Sequence, residues 1–263
     1  MQQHSKMTTP SHKKTEAIIP EEIATKVIGQ AGVNVVLVGG QALAFWAHHY
    51  DIKPPKDCVY FTRDVDFLAA SAADAFEVKR FANILGGYAI YPSKHALTAL
   101  IGQAVKEISN NEYFNIDILH KVLTGTEGVR KRSVLLSLNG KNFRAMHPLD
   151  VLASRLINLH KLPEKQNPLG VTQLRVAIEV AHAFLKDQAT LGTNMRPFMH
   201  AIISLIKSDA AKKVAQRWGI YVGDALLPLA CDLNDIFIEL HLPTLLQSMS
   251  PEYRLVFQKA VNQ

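Results

Sequence analysis

Cysteine is nearly absent from this chain of 263 residues, which contains only Cys58 and Cys231. Two cysteines far apart in sequence exclude a disulfide framework and argue against a zinc site built mainly from thiolates. Internal repeats and low-complexity stretches are missing as well. With 48% hydrophobic and 20% charged residues, the composition is typical of a globular protein with a proper hydrophobic core.

Long apolar runs are also lacking. A membrane-spanning helix needs a run of about 18 apolar residues, and the chain has none. The first residues, 1–11, are polar and have no apolar stretch like that of a secretory signal. The expected location is therefore the reducing cytoplasm, with no membrane partner.

Positive charge is concentrated in one part of the sequence. The formal net charge is +6. The span 121–165 holds nine basic residues against three acidic ones, an excess equal to that of the whole chain. Such a local field suits a phosphate-rich partner, for example a nucleoside triphosphate or RNA. A solvated surface without a ligand gives the same pattern, so both interpretations stay open.

The predicted elements change in character near residue 146. Short strands, some apolar and some alternating, are mixed with helices before that point, and only helices are predicted after it. Strands are predicted at 34–38, 63–68, 88–91, 113–119, 133–138 and 142–145. The pattern at 97–108 fits a helix as well as a strand, and a strand is favoured. Helices are predicted at 20–29, 41–50, 72–85, 149–160, 171–185, 195–206, 210–218 and 232–240. Asn139-Gly140 separates two of the strands and is a strong hairpin signal.

This order of elements predicts an α+β fold with two domains. Residues 1–15 are polar, without apolar periodicity, and are expected to form a disordered tail. Residues 16–146 form the predicted α+β domain, with a mixed or antiparallel sheet and flanking helices. Residues 147–263 form a predicted all-helical domain.

Three aspartates form the candidate metal site. Asp64 and Asp66 are two residues apart on a predicted strand, so both carboxylates project from the same face. Asp117 lies between isoleucines on another predicted strand, where an isolated acid costs free energy unless it is paired or binds a metal. If the two strands are neighbours, three carboxylates converge as a two-metal phosphoryl-transfer site requires. Unrelated acids on exposed edge strands are the alternative.

Gly39 and Gly40 stand between a predicted buried strand and a predicted helix. Glycine lets a phosphate approach the backbone closely, and the helix N-terminus supplies free N–H groups and a positive dipole end. Taken alone, the pair is explained better by a tight strand-to-helix turn without a ligand.

The order of these motifs resembles the nucleotidyltransferases of the DNA polymerase β type, and among them the minimal and AbiEii-like toxin branch. The resemblance rests on Val38-Gly39-Gly40-Gln41-Ala42-Leu43, Thr62-Arg63-Asp64-Val65-Asp66-Phe67, Ile116-Asp117-Ile118 and the stretch 147–155. It covers about residues 30–185. It implies a nucleotidyltransferase fold and the transfer of a nucleoside monophosphate from an NTP to a hydroxyl, with release of pyrophosphate.

The resemblance also implies roles for individual residues. Asp64, Asp66 and Asp117 would be catalytic and would hold two Mg²⁺ ions, or Mn²⁺ in their place. The remaining site residues would bind the nucleotide: Gly39, Gly40, Gln41, Arg63, Arg155, Lys161 and Lys165. Such enzymes often have Ser or Thr where this chain has Gln41, and the toxin branch often has Lys where it has Arg155.

The acceptor is expected to be RNA, and tRNA in particular, because of the basic span, with a protein hydroxyl as a further option. The family setting implies a toxin or phage-defence role with an antitoxin partner. Two rival functions stay open. One is a non-catalytic RNA- or protein-binding module with a degenerate nucleotidyltransferase fold, and the other is a nucleotidyltransferase acting on a small molecule such as an antibiotic.

Overall fold

The structure is a computed structural model that describes residues 14–53, 65–93, 95–226 and 242–261. Asp64, Arg63, both cysteines, most of the expected tail and the predicted helix at 232–240 lie outside these ranges. Among the described residues, no helix is both long enough and apolar enough to cross a bilayer.

Eight strands of the described residues form one mixed sheet, and all of them precede residue 146. The strands are β1 (Thr15–Glu16), β2 (Val36–Val38), β3 (Val65–Leu68), β4 (Tyr88–Ile90), β5 (Leu100–Glu107), β6 (Glu112–Leu119), β7 (Val134–Leu138) and β8 (Lys141–Ala145). Their order across the sheet is β4-β5-β6-β3-β2-β8-β7, and β1 also pairs with β6. The predicted α+β class with a mixed sheet is therefore confirmed.

Helices alternate with the strands in the first half, and the described elements after residue 146 are all helical. Those of the first half are α1 (Glu21–Gly29), α2 (Gly39–His49), α3 (Ala75–Leu85) and α4 (Thr126–Arg132). Those of the second half are α5 (Pro148–Lys161), α6 (Pro168–Thr190), α7 (Arg196–Ile206), α8 (Asp209–Trp218) and α9 (Pro251–Val261). Short 3₁₀ turns at Pro163–Lys165 and Val222–Ala225 and a helical segment at 242–247 complete the described residues.

Local sequence explains the change from strand to helix at residue 147. Asn139 and Gly140 have φ angles of 51° and 74°, so they form the predicted tight turn between β7 and β8. His147 then caps α5, because its Nδ1 accepts a hydrogen bond from the N–H of Leu149 at 3.2 Å. Pro148 occupies the first turn, where its missing N–H costs nothing.

One continuous hydrophobic core joins the two halves. It includes Leu37 of β2 and Phe67 of β3 together with Leu152 of α5 and Leu185 of α6. Helix α2 packs against both α5 and α6. The indole Nε1 of Trp46 on α2 donates a hydrogen bond of 2.7 Å to the carbonyl of Met146, which fixes α2 beside the start of α5.

One local prediction needs correction, and two observed helices lie where none was predicted. Thr15 was expected in the disordered tail, but it lies in β1 and pairs with Glu112 of β6. Helices α4 and α9 were not predicted. Helix α4 is one short basic segment in which Val129 is the buried residue, so the sequence shows no periodic apolar face there.

Candidate active site

Two of the three predicted aspartates face each other on neighbouring strands. Strand β3 pairs with β6 in parallel, and Asp66 lies directly opposite Asp117 in this register. Opposite residues on adjacent strands project from the same face with Cβ atoms about 5 Å apart. The two carboxylates therefore stand side by side. Asp64 lies outside the described residues.

The packing of two phenylalanines identifies the face that carries these acids. Phe67 stacks on Phe81 of α3 at 4.4 Å, and Phe143 contacts Phe45 of α2 edge-on at 5.3 Å. Leu37 pairs with both Phe67 and Ala145, so Phe67 and Phe143 project from one face of the sheet. Helices α2 and α3 thus cover that face, and the acid pair lies on the opposite one.

Two amide side chains hold the carboxylate of Asp117. Gln103 Nε2 on β5 and Asn115 Nδ2 on β6 both donate to Asp117 Oδ1, at 2.9 and 2.8 Å. Gln103 is the register partner of Asp117, and Asn115 lies two residues before it on the same face. The two donors fix the orientation of the carboxylate by binding one of its oxygens.

Asn115 keeps this contact at a cost. The side chain is 4% exposed, and its Oδ1 is buried without a hydrogen-bond partner in the part of the chain that the structure describes. An unpaired buried polar oxygen costs about 1–3 kcal/mol. The contact with Asp117 therefore leaves the other polar atom of the Asn115 amide without a protein partner among the described residues.

Gly39 allows the carboxylate of Asp66 to lie against the start of α2. Its φ angle is +69°, a left-handed conformation that favours glycine. A Cβ at this position would lie 2.8 Å from Cγ of Asp66 and closer still to its Oδ2. The residue before it, Val38, is the register partner of Asp66. Only glycine therefore fits between this strand end and the acid.

The N-terminus of α2 is electropositive at this point. Val38 provides no side-chain cap, and the first turn contains no acidic residue. The free N–H groups of a first helical turn carry positive partial charge and bind carboxylates and phosphates. Gly40 and Gln41 lie in this turn and are both buried, Gln41 with 9% of its surface exposed.

The predicted basic residues within the described ranges have different environments. Arg155 on α5 is 6% exposed, and its Nη1 donates to Gln173 Oε1 of α6 at 3.2 Å. Lys161 is the last residue of α5, thirteen residues after Pro148, and therefore about 20 Å along the helix from its start. Lys165 follows in the 3₁₀ turn, and both lysines are exposed. Arg63 lies outside the described residues.

The residues present fit a divalent cation. Two adjacent carboxylates on one face, one of them oriented by amides, match the oxygen ligands that Mg²⁺ prefers. The described residues contain no cluster of three or more metal-ligating side chains. The third predicted ligand, Asp64, lies outside the described residues.

Gln103 and Asn115 are the residues that sequence reasoning missed. Asn115 could have been found, since its spacing of two from Asp117 on a predicted strand puts both side chains on one face. Gln103 could not, because its contact depends on the register between β5 and β6. Comparisons of the chain with protein-family models, curated proteins and solved structures found no match.

Proposed function

We propose that this protein is a Mg²⁺-dependent nucleotidyltransferase that moves a nucleoside monophosphate from an NTP to a hydroxyl, with RNA as the favoured acceptor. The observation that carries the proposal is the juxtaposition of Asp66 with Asp117 on one sheet face, with Gly39 at the start of α2 against Asp66. Carboxylates for metal binding and N–H groups for phosphate binding thus meet at one edge.

Each part has a distinct task in this mechanism. The backbone N–H groups at Gly39 and Gly40 bind the β- and γ-phosphates, and the helix dipole offsets their charge. Asp66 and Asp117, with the predicted Asp64, hold the divalent cation. When bound, Mg²⁺ neutralises the charge that develops on the triphosphate.

The chemical step is an in-line displacement at the α-phosphorus. The acceptor oxygen forms a new bond to this phosphorus while the bond to the α–β bridging oxygen breaks, and pyrophosphate leaves. Asp117 Oδ2 takes the proton of the attacking hydroxyl. Gln103 and Asn115 make this possible by holding the other oxygen, Oδ1, in a fixed position.

A labelling assay tests the proposal. The purified protein is incubated with each α-³²P-labelled NTP, Mg²⁺ and total cellular RNA, beside Asp66→Asn and Asp117→Asn variants. If RNA is labelled by the wild type and by neither variant, the proposal is supported and the nucleotide is identified. Label on the protein itself moves the acceptor to a protein hydroxyl.

The binding-module rival has a different outcome. In that case no NTP transfers label to RNA, to protein or to an added antibiotic. Both variants then bind RNA at least as tightly as the wild type, because each removes a negative charge near the phosphates. Transfer only to the added antibiotic would replace RNA with a small-molecule acceptor.

A further inference from the structure

A basic cleft lies in the helical half of the chain. It has a volume of about 390 Å³ and lies between the end of α5, the segment that follows it, and α8. Its lining includes His160 at the end of α5, Gln166 in the following segment, and Lys213, Arg217 and Trp218 on α8. Three of them are nitrogen bases or cations, and this described lining contains no carboxylate.

The surroundings of the cleft strengthen its positive charge. Residues 159–166 and 209–218 together contain five Lys and Arg residues against two acids, Glu164 and Asp209. Lys161 and Lys165 are exposed and directly adjoin His160 and Gln166 in the sequence, whereas Lys212 is exposed and lines a neighbouring pocket. These two segments thus carry a net charge of +3, half of the chain's +6, although they are far apart in sequence.

One arginine and one indole organise this surface. The guanidinium of Arg217 lies 5.0 Å above the ring of Trp218. Its Nη1 also donates to Gln166 Oε1 at 2.7 Å, which links α8 to the segment after α5. A held cation beside an aromatic ring, with exposed lysines nearby, is the combination by which single-stranded nucleic acids are bound: the cations follow the phosphates and the ring stacks on a base.

The cleft and the acid pair lie at opposite ends of α5. Helix α5 begins close to Asp66. The N–H of Met146, just before the helix, donates to the carbonyl of Leu37, and the next residue, Val38, is the register partner of Asp66. The cleft is formed by the last turn of α5, about 20 Å along the helix. A flexible strand bound in the cleft is therefore held at a point distinct from the reacting end.

We propose that this cleft, formed by α5, the following turn and α8, binds the phosphate backbone of a single-stranded RNA whose end is the nucleotidyl acceptor. The inference rests on the proposed function for the identity of the acceptor. It assigns Lys161 and Lys165 to the acceptor strand, together with Lys213 and Arg217, and not to the triphosphate.

Fluorescence anisotropy with a short fluorescein-labelled oligouridylate tests the cleft across a salt series. Two variants of the full chain each remove two charges: Lys213→Gln/Arg217→Gln and Lys161→Gln/Lys165→Gln. The matched control is Lys26→Gln/Lys79→Gln, which removes two exposed lysines on α1 and α3. Each cleft variant should weaken binding about tenfold and reduce the slope of log affinity against log salt by about 1.4, since each lost phosphate contact contributes about 0.7.

The control should leave both quantities unchanged. Because Arg217 also bonds Gln166, thermal melting must show that the first variant folds. The second variant changes only exposed side chains and tests the cleft independently. Unchanged affinity and slope in the folded cleft variants would overturn the inference, and so would tighter binding of polyglutamate than of RNA, which would indicate an acidic protein partner.

The labelling assay separates the two proposals. If the wild type labels RNA and the cleft variants bind and label RNA equally well, the cleft inference fails while the proposed function stands. If RNA binding depends on the cleft but no NTP transfers label, the proposed function fails and the cleft remains an RNA-binding site.

Discussion

The carboxylate of Asp66 lies so close to Gly39 that no side chain fits at position 39. The φ angle of Gly39 is +69°, and a Cβ there would overlap the carboxylate of Asp66. This contact joins the end of β2, the start of α2 and the acid pair in one small volume. Glycine is therefore needed here for two reasons: the left-handed backbone conformation and the lack of space for a Cβ atom.

Gly39→Ala should therefore abolish the metal-dependent binding of NTP and lower stability by about 1–2 kcal/mol. The control is Gly32→Ala, because Gly32 has a similar φ of +71° but no atom within 4 Å of the added Cβ. Calorimetric titration and thermal unfolding of both variants separate the effects. Equal NTP affinity in the two variants would contradict a special role for Gly39.

Gln103→Leu removes one of the two donors to Asp117 Oδ1. Loss of an orienting partner of a metal ligand lowers metal affinity by about 10- to 100-fold, and we expect a loss of this order for Mn²⁺. Gln188→Leu, far along α6, serves as the control. A purely structural role for Gln103 would lower the melting temperature and leave the Mn²⁺ affinity unchanged.

The sequence alone predicted that Asp66 and Asp117 lie on strands, but not that these strands are neighbours. Each strand could be assigned locally, from the apolar residues on either side of its aspartate. That β3 lies next to β6, with the two acids in direct register, depends on long-range pairing that no local pattern contains. The same holds for Gln103, which reaches Asp117 from β5.

The basic residues show the limit of reasoning from linear charge. The span 121–165 looks uniform in sequence, but its members have different environments. Arg132 is paired with Asp150, Arg155 is buried against Gln173, and Lys161 is exposed at the end of α5. The cations of α8 lie outside the span, so only the packing of α8 against α5 unites them with Lys161 and Lys165.

His147 should make stability depend on pH. Burial lowers the pKa of His147 to about 4, below the usual 6.5, so the unfolded chain binds a proton that the folded chain does not bind. The free energy of unfolding should fall as the pH drops from about 6.5 to 4, by up to about 1.4 kcal/mol per unit.

Denaturant unfolding of wild type and His147→Asn across this pH range checks the prediction. Asparagine still caps a helix, and it does not titrate. The variant should lose this part of the pH dependence, whereas His48→Asn, at an exposed position, should retain it. A parallel pH profile for wild type and His147→Asn would refute the assignment.

The ion pair between Arg132 and Asp150 should respond asymmetrically to mutation. Two hydrogen bonds of 3.0 and 2.6 Å join the side chains, and Asp150 is 7% exposed whereas the arginine side chain is 54% exposed. Arg132→Met leaves a buried carboxylate unpaired and should cost about 2 kcal/mol. Asp150→Asn leaves an arginine that water can solvate, so it should cost less.

Chemical denaturation of the two variants and of Lys131→Met, an exposed neighbour on α4, measures these differences. Lys131→Met should change the free energy of unfolding by less than about 0.5 kcal/mol. A larger cost for Asp150→Asn than for Arg132→Met would mean that the pair is dominated by the helix dipole at the start of α5 and not by burial of the acid.

Electron paramagnetic resonance of Mn²⁺ with and without a non-hydrolysable NTP tests the central claim most directly, that Asp66 and Asp117 belong to one cation site that binds a nucleotide. The wild type should bind Mn²⁺, more tightly when the NTP is present, and Asp66→Asn and Asp117→Asn should each lose this binding, while Asp187→Asn on α6 keeps it. Nucleotide and Mn²⁺ binding that is unchanged in both acid variants would contradict the account.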